Sequence, residues 1–236
     1  MKYIALPDQK IRRLSFYLAM EEFIARHMED HDYFFLWQVE PSVIFGRHQI
    51  AENEINLPYC RENNIQAYRR KSGGGCVYAD RDNLMLSYVT RDDQVNVAFN
   101  NLMNMELLVL NKLGITAAST SRNDVMIGDK KVSGAACYCV NGRSIVHSTL
   151  LYDTNMQHML QSITPSKEKM RTQGIESVRQ RITLLKDYTQ LSLEELKDFV
   201  RETLCTGEYR LTQEEVAEIE RIEQSYLDAD FLKLIV

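Results

Sequence analysis

Between Asn123 and Tyr152 the chain carries three β-rich runs, NDVMI, KKVSGAACYCV and RSIVHSTLLY, joined at Gly128-Asp129 and Asn141-Gly142. An Asn-Gly pair between two such runs is a strong short-range hairpin signal, because both central residues of the tight turn take positive φ. The runs predict an antiparallel meander over 123–152. Any fold open to this chain has to be built around it.

The flanking sequence supplies helices and further strands. Leu14, Tyr17, Leu18, Phe23, Ile24 and Met28 recur at three- and four-residue spacings within 11–28, which predicts an amphipathic helix packed on a sheet. YFFLWQV (33–39) and SVIFG (42–46), separated by Glu40-Pro41, read as a strand pair. Residues 67–90 hold three consecutive glycines between strand-like flanks, a loop within a sheet. Residues 94–113 form a second helix stopped by Gly114, and helical patterning returns near 155–163. Two capping boxes, Ser192-x-x-Glu195 and Thr212-x-x-Glu215, open amphipathic helices in the C-terminal part. Strand pairs separated by single helices predict an α+β class, a mixed and largely antiparallel sheet flanked by helices, rather than a doubly wound fold. With no repeat, linker or low-complexity tract, residues 1–236 are expected to form one domain.

Composition narrows the function. The 236 residues are 44% hydrophobic and 26% charged, the mix of a chain with a large core. Against 33 acidic residues stand 28 basic ones, a net charge of −5 that removes the bulk attraction used in nonspecific nucleic-acid binding. No apolar run approaches the roughly 20 residues of a membrane span. The start, MKYIALPDQKIRR, is charged where a signal peptide would be apolar. A cytoplasmic protein with neither nucleic-acid nor membrane partners is expected. The five cysteines (60, 76, 137, 139, 205) are odd in number and scattered, and Cys137-x-Cys139 lacks the second pair of a zinc site, so reduced thiols are expected.

Arg69-Arg70-Lys71-Ser72-Gly73-Gly74-Gly75 is the densest chemical feature. Glycines let a ligand approach the backbone and expose successive N–H groups to an anion, while guanidinium groups grip phosphate or carboxylate. The run is neither a Walker A loop nor a dinucleotide turn, and a flexible turn with solvated charges is the bland reading. Pairing across the Gly128-Asp129 turn brings Asn123-Asp124 toward Lys131-x-Ser133-Gly134, an amide, a carboxylate and an ammonium suited to a nucleotide and its metal. Lys130 should face the other way. A strand histidine such as His147 is more often packed and hydrogen-bonded than catalytic, and Trp37 is core by default. Glu21-Glu22, inside an apolar helix face, calls for partners.

Taken together, VIFGRHQ (43–49), RRKSGGGCVYADRDN (69–83), RNDVMIGDKKVSG (122–134), HSTLLY (147–152) and GIESVRQRI (174–182) resemble the lipoate-protein ligase A family, in its order and spacing. The resemblance implies the fold of biotin ligases and class II aminoacyl-tRNA synthetase cores. It implies an enzyme that uses ATP and Mg2+ to convert lipoate to lipoyl-AMP and passes the acyl group to a lysine of a lipoyl carrier. The implied carriers are the E2 lipoyl domains of 2-oxoacid dehydrogenases and the glycine cleavage H protein. Carried over by position, Arg70, Ser72, Gly73, Gly74 and Gly75 wrap the lipoyl-adenylate, and Trp37 and Val77 border the acyl tail. Asn83 helps hold the phosphate region. Asn123 and Asp124 serve the nucleotide, Asp124 also the magnesium. Ser133 and Gly134 belong to the motif of Lys131, which grips the acyl carboxylate and α-phosphate, and His147 matches the second histidine of the family's HHGT run.

The chain departs from the family pattern at Ala79, where histidine is common, at Asp82, usually glycine, and at Val146-His147-Ser148-Thr149 in place of HHGT. No C-terminal accessory domain is expected within 1–236, so a separate accessory protein is expected to assist activation. Two rivals stand beside the ligase: an acyltransferase of the same fold, which needs a cysteine thiolate as acyl acceptor, and a noncatalytic lipoyl-domain-binding protein. In one transferase branch that cysteine lies where this chain has Arg122-Asn123-Asp124.

Overall fold

A computed structural model describes residues 1–29, 31–163 and 181–233. Eleven strands among them, β1 (Lys2–Ala5), β2 (Tyr33–Trp37), β3 (Ser42–Phe45), β4 (Gln66–Arg69), β5 (Val77–Ala79), β6 (Asn83–Thr90), β7 (Ala118–Ser119), β8 (Asp124–Ile127), β9 (Lys130–Val140), β10 (Arg143–Leu151) and β11 (Gly207–Arg210), make two sheets. The larger has the order β11-β1-β2-β6-β10-β9-β8-β7, the smaller β4-β3-β5. In the larger sheet β1 runs parallel to β2 and β11 while the remaining pairs are antiparallel, so the sheet is mixed and largely antiparallel.

The 123–152 meander forms as its turn residues dictate. Gly128 (φ 60°), Asn141 (φ 51°) and Gly142 (φ 71°) take the left-handed conformation, and β8, β9 and β10 pair in sequence. The pair expected from 33–39 and 42–46 does not form: both segments are strands, but in different sheets. Both edges of β2 are taken by β1 and β6, and β3 is flanked by β4 and β5. The chain between them, with Pro41 accepting from Gln66 N at 3.0 Å, steps from one sheet to the other.

Helix α1 (Leu14–His27) covers one face of the larger sheet, and its residues Leu14 to Ala25 are all buried. Its periodicity alone suggests an outer polar face, but a later helix, Gln213–Leu227, lies over it: Ser15 donates to Glu223, and Tyr226 to Glu22. That late helix and Leu193–Leu204 both open with the expected reciprocal capping boxes. Helix α2 (Ala51–Glu54), α3 (Leu57–Glu62) and α5 (Met156–Ser162) pack with the small sheet, and α4 (Val95–Lys112) with α6 (Leu193–Leu204) covers the second face of the larger one. A 3-10 turn (Leu185–Asp187) and helices α7 (Gln213–Leu227) and α8 (Ala229–Leu232) complete the described elements. Among the described residues no helix is long and apolar enough to cross a membrane.

Candidate active site

Both β4 and β5 pair with β3, on opposite sides, so residues 70–76 arch over the end of β3. Arg70 shapes this arch from within. Its buried guanidinium donates to the carbonyls of Gly73 (2.7 Å), Gly75 (2.7 Å) and Ile44 (3.1 Å), and burial pulls its pKa down to about 10. Arg70 thus grips the loop that is expected to wrap the ligand. Gly74 has φ +92°, which a side chain rarely adopts, while Gly73 and Gly75 are exposed with open space around them. The 46–49 turn backs the arch: Arg47 N donates to Ser72 O at 2.9 Å, and buried Arg69 donates to the carbonyls of Arg47 and Gln49.

Ser72, whose side chain is buried, leads from this loop into a polar chain beneath it. Glu21 on α1 accepts from His147 Nδ1 (3.0 Å) and from Ser87 Oγ (2.5 Å), which fixes the imidazole proton on Nδ1. His147 Nε2 shares a hydrogen bond with Ser72 Oγ at 2.8 Å. Trp37 Nε1 donates to Ser87 at 2.9 Å, and the indole stacks on Tyr17 with centroids 4.9 Å apart. So Trp37 and His147 are interior residues, and they also form one network ending at the glycine loop. The adjacent Glu22 is held by Lys71 Nζ at 2.6 Å, Arg26 at 2.8 Å and Tyr226 at 3.0 Å.

Lys131 lies at the start of β9, its ammonium 2.6 Å from Asp124 Oδ1. Val125 pairs with Ser133 and Met126 with Lys131, so Val132 is an extra, bulged residue; bulges commonly re-aim side chains beside active sites. A Cβ on Gly134 would lie 2.4 Å from Lys131 Nζ, so only a glycine leaves room for the ammonium there. Gly134 pairs with Thr149, two residues from His147 on β10, a step of roughly 7 Å along the strand. Residues two apart on a strand share a face, and so do directly paired residues. The Lys131 ammonium and the His147 imidazole therefore occupy one face of the sheet. Asn123, at φ 61°, carries the turn into β8, its carbonyl accepting from Ala135 N at 3.0 Å.

Other expected site residues lie deeper. Val77 is half-buried, paired with Ile44. Asn83 is wholly buried, its amide donating to Thr154 Oγ1 (3.0 Å) and Tyr78 O (3.4 Å) between β5 and β6, while its Oδ1 accepts no hydrogen bond among the described residues. Ser133 Oγ is buried on the opposite face of the sheet from Lys131's ammonium. Residues 174–180 of the last motif run lie outside the described residues, but Lys131 N donates to Arg181 O (2.8 Å) and Thr183 N to Lys131 O (2.9 Å), so its end runs beside the lysine. Of the residues that shape the site, Gly46, Ser87 and Glu106 are not singled out in the sequence, whereas Arg69 opens its densest chemical run. For Glu106 a signal existed, a carboxyl group within the apolar stripe of Leu102, Val109 and Leu110.

Comparison with known proteins identifies the family. The family described as the lipoyl protein ligase A/B catalytic domain matches residues 14–205. The lipoate-protein ligase LplJ of Bacillus subtilis is 32% identical over 232 residues, covering 93% of this chain and 70% of that protein. A bipartite lipoate protein ligase of Thermoplasma acidophilum, studied with its E2 lipoyl domain, superimposes with a TM-score of 0.86 at 28% identity, over 98% of this chain and 96% of that one. A crystal structure of lipoate-protein ligase A bound with ATP gives 0.83 at 25% identity over all of both chains.

Proposed function

The chain belongs to the lipoyl protein ligase A/B catalytic domain family, and on that premise we propose that it is a lipoate-protein ligase, joining lipoate to AMP at the expense of ATP and then to a lysine of a carrier protein. The observation that carries this reading is that the lysine and the anchor of the glycine loop share one sheet face: the Lys131 ammonium over Gly134, and His147, which holds the arch through Ser72. Adenylation brings a carboxylate against an α-phosphate. A cation about 4 Å from the developing charge is worth roughly 4 kcal/mol at an effective dielectric of about 20. Lys131 supplies it, exchanging Asp124 for the reacting oxygens. Gly73 to Gly75 offer backbone to the adenylate, Trp37 and Val77 border the acyl chain, and Asn123 and Asp124 face the nucleotide.

Among the described residues no group of three or more His, Cys, Asp or Glu is disposed to hold a metal. One carboxylate completed by phosphate oxygens is nonetheless how magnesium is commonly held, and Asp124 fits that pattern. Magnesium there would neutralise phosphate charge.

The thiol-dependent transferase reading loses ground. Burial pushes the Cys76 and Cys137 thiols up to about 12, and Cys60 and Cys205 to about 11, the reverse of what an acyl-accepting thiolate needs. E2 lipoyl domains are the first carriers to test, followed by the glycine cleavage H protein, each with and without a candidate accessory protein. The purified chain is incubated with lipoate, ATP, magnesium and a lipoyl domain, and intact mass is read. A lipoyl mass gain on the carrier that needs ATP supports the ligase. Gain without ATP from an acylated donor carrier would make it a transferase, and binding with no gain under any condition a noncatalytic partner.

A further inference from the structure

Helix α4 turns an apolar face to the sheet, with Ala98, Leu102, Val109 and Leu110 buried, yet Glu106 sits in that face and is 2% exposed. Its Oε1 accepts from Ser148 Oγ on β10 at 2.5 Å, while Oε2 is buried without a partner. Ser133 on β9 pairs with Leu150, two residues from Ser148, and so faces α4 as Ser148 does. Ser133 lies beside the same carboxyl group, and its Oγ is also buried and unpartnered.

An ionised Glu106 would bury a charge within an apolar helix face, where hydroxyl groups alone offset it poorly. A carboxylic acid keeps the same two serines and buries no charge: Oε2–H donates to Ser133 Oγ while Oε1 still accepts from Ser148. Burial pushes the Glu106 carboxyl above its ordinary range, against lesser opposing pulls from Ser148, Ser133 and Lys131. Among the described residues Lys131, on β9, is the charged group whose field reaches it.

The two strands so bridged carry the two halves of the site. Ser133 follows the bulged Val132 and precedes Gly134, over which the lysine ammonium rests. Resting on the reading of Lys131 as the activating cation, we propose that Glu106 is a positioning residue: a neutral carboxylic acid, behind the sheet, that ties Ser133 on β9 to Ser148 on β10 and so holds the bulge that aims Lys131.

Infrared difference spectra of the wild type against Glu106→Gln at neutral pH test the protonation state without reference to catalysis. The expected result is the C=O stretching band of a protonated carboxyl group, lost in the variant and shifted in D2O; carboxylate bands alone overturn the proposal. Glutamine offers the same donor and acceptor, so Glu106→Gln is expected to keep kcat for lipoyl-adenylate formation within about twofold, while Glu106→Ala loses about tenfold in kcat with KM values within about twofold. Glutamine as harmful as alanine, or wild-type kcat in a folded alanine variant, also overturns it. The band and the glutamine variant decide the question even where the alanine variant fails to fold. A wild type that forms no adenylate would instead sink the reading of Lys131, with the infrared result still standing on its own.

Discussion

Gly46 and Gly74 meet backbone against backbone, so closely that a Cβ on Gly46 would lie 2.1 Å from the Gly74 carbonyl oxygen. No side-chain rotation relieves such a contact. Gly46→Ala is expected to push the arch off its turn, lowering stability by about 1–3 kcal/mol in urea unfolding and weakening lipoyl-AMP binding together. Gly73→Ala, whose Cβ meets nothing within 4 Å, is the stability control and should unfold like the wild type. Equal unfolding midpoints for Gly46→Ala and the wild type would show that the turn and arch slide freely past each other.

Lys131→Met should abolish the activating cation and little else. The pair with Asp124 has 41% and 25% of its side-chain surface exposed, a setting in which an ion pair adds little to stability. Lipoyl-adenylate formation is expected to fall about 100- to 1,000-fold with the unfolding midpoint nearly unchanged. Lys130→Met, at an exposed neighbour, should stay close to wild type. A variant of Lys131 that makes adenylate at the wild-type rate contradicts the assignment.

Glu22 links the helix under the arch to acid stability. Burial opposes its ionisation, but hydrogen bonds and charge from Lys71, with Arg26 and Tyr226, outweigh burial and hold its carboxyl below the ordinary 4.5. A group depressed in the folded state stabilises above its unfolded value, and that contribution is lost as pH falls through the folded value. Wild type should therefore exceed Glu22→Gln in stability at neutral pH, by a margin that shrinks below about pH 4.5. Urea unfolding of both proteins between about pH 7 and pH 3 measures the margin. A margin that stays constant would mean the ion pairs contribute nothing.

Replacing Cys76, Cys137 and Cys139 by serine should preserve carrier modification from synthetic lipoyl-AMP. The mixed anhydride is already activated toward an amine, and the first two thiols are held protonated by burial. Loss of transfer in a folded variant, with a thioester trapped on the wild type, would restore the transferase reading.

How far the sequence carries this argument depends on whether the interaction is local. The 123–152 meander was legible because Asn141-Gly142 decides its own conformation. The separation of 33–39 from 42–46 into two sheets was not, since partners such as Gln66 are chosen by distant chain. Glu21 and Glu22 stood out as carboxyl groups needing partners, but those partners, His147 and Lys71, lie 126 and 49 residues away. Arg70 was legible as a cation beside glycines; that it turns inward to the Gly73 and Gly75 carbonyls depends on how β3 and β4 pair. Glu106 shows the opposite failing: periodicity smooths over one polar residue in an apolar stripe, and its meaning appears once the two facing serines are known.

Strand β1 lies between β2 and β11, but its ladder to β2 spans just Lys2 with Tyr33 and Tyr3 with Phe34, whereas all of Lys2–Ala5 is matched by Gly207–Arg210. Those partners are separated by about 200 residues of chain, which is a large closure entropy to meet with one short ladder. A ribosome therefore releases β1 long before the strand that completes its pairing. Through most of synthesis that edge is open to mispairing, and a nascent chain stalled ahead of Gly207 should depend on chaperones in a way the finished one does not.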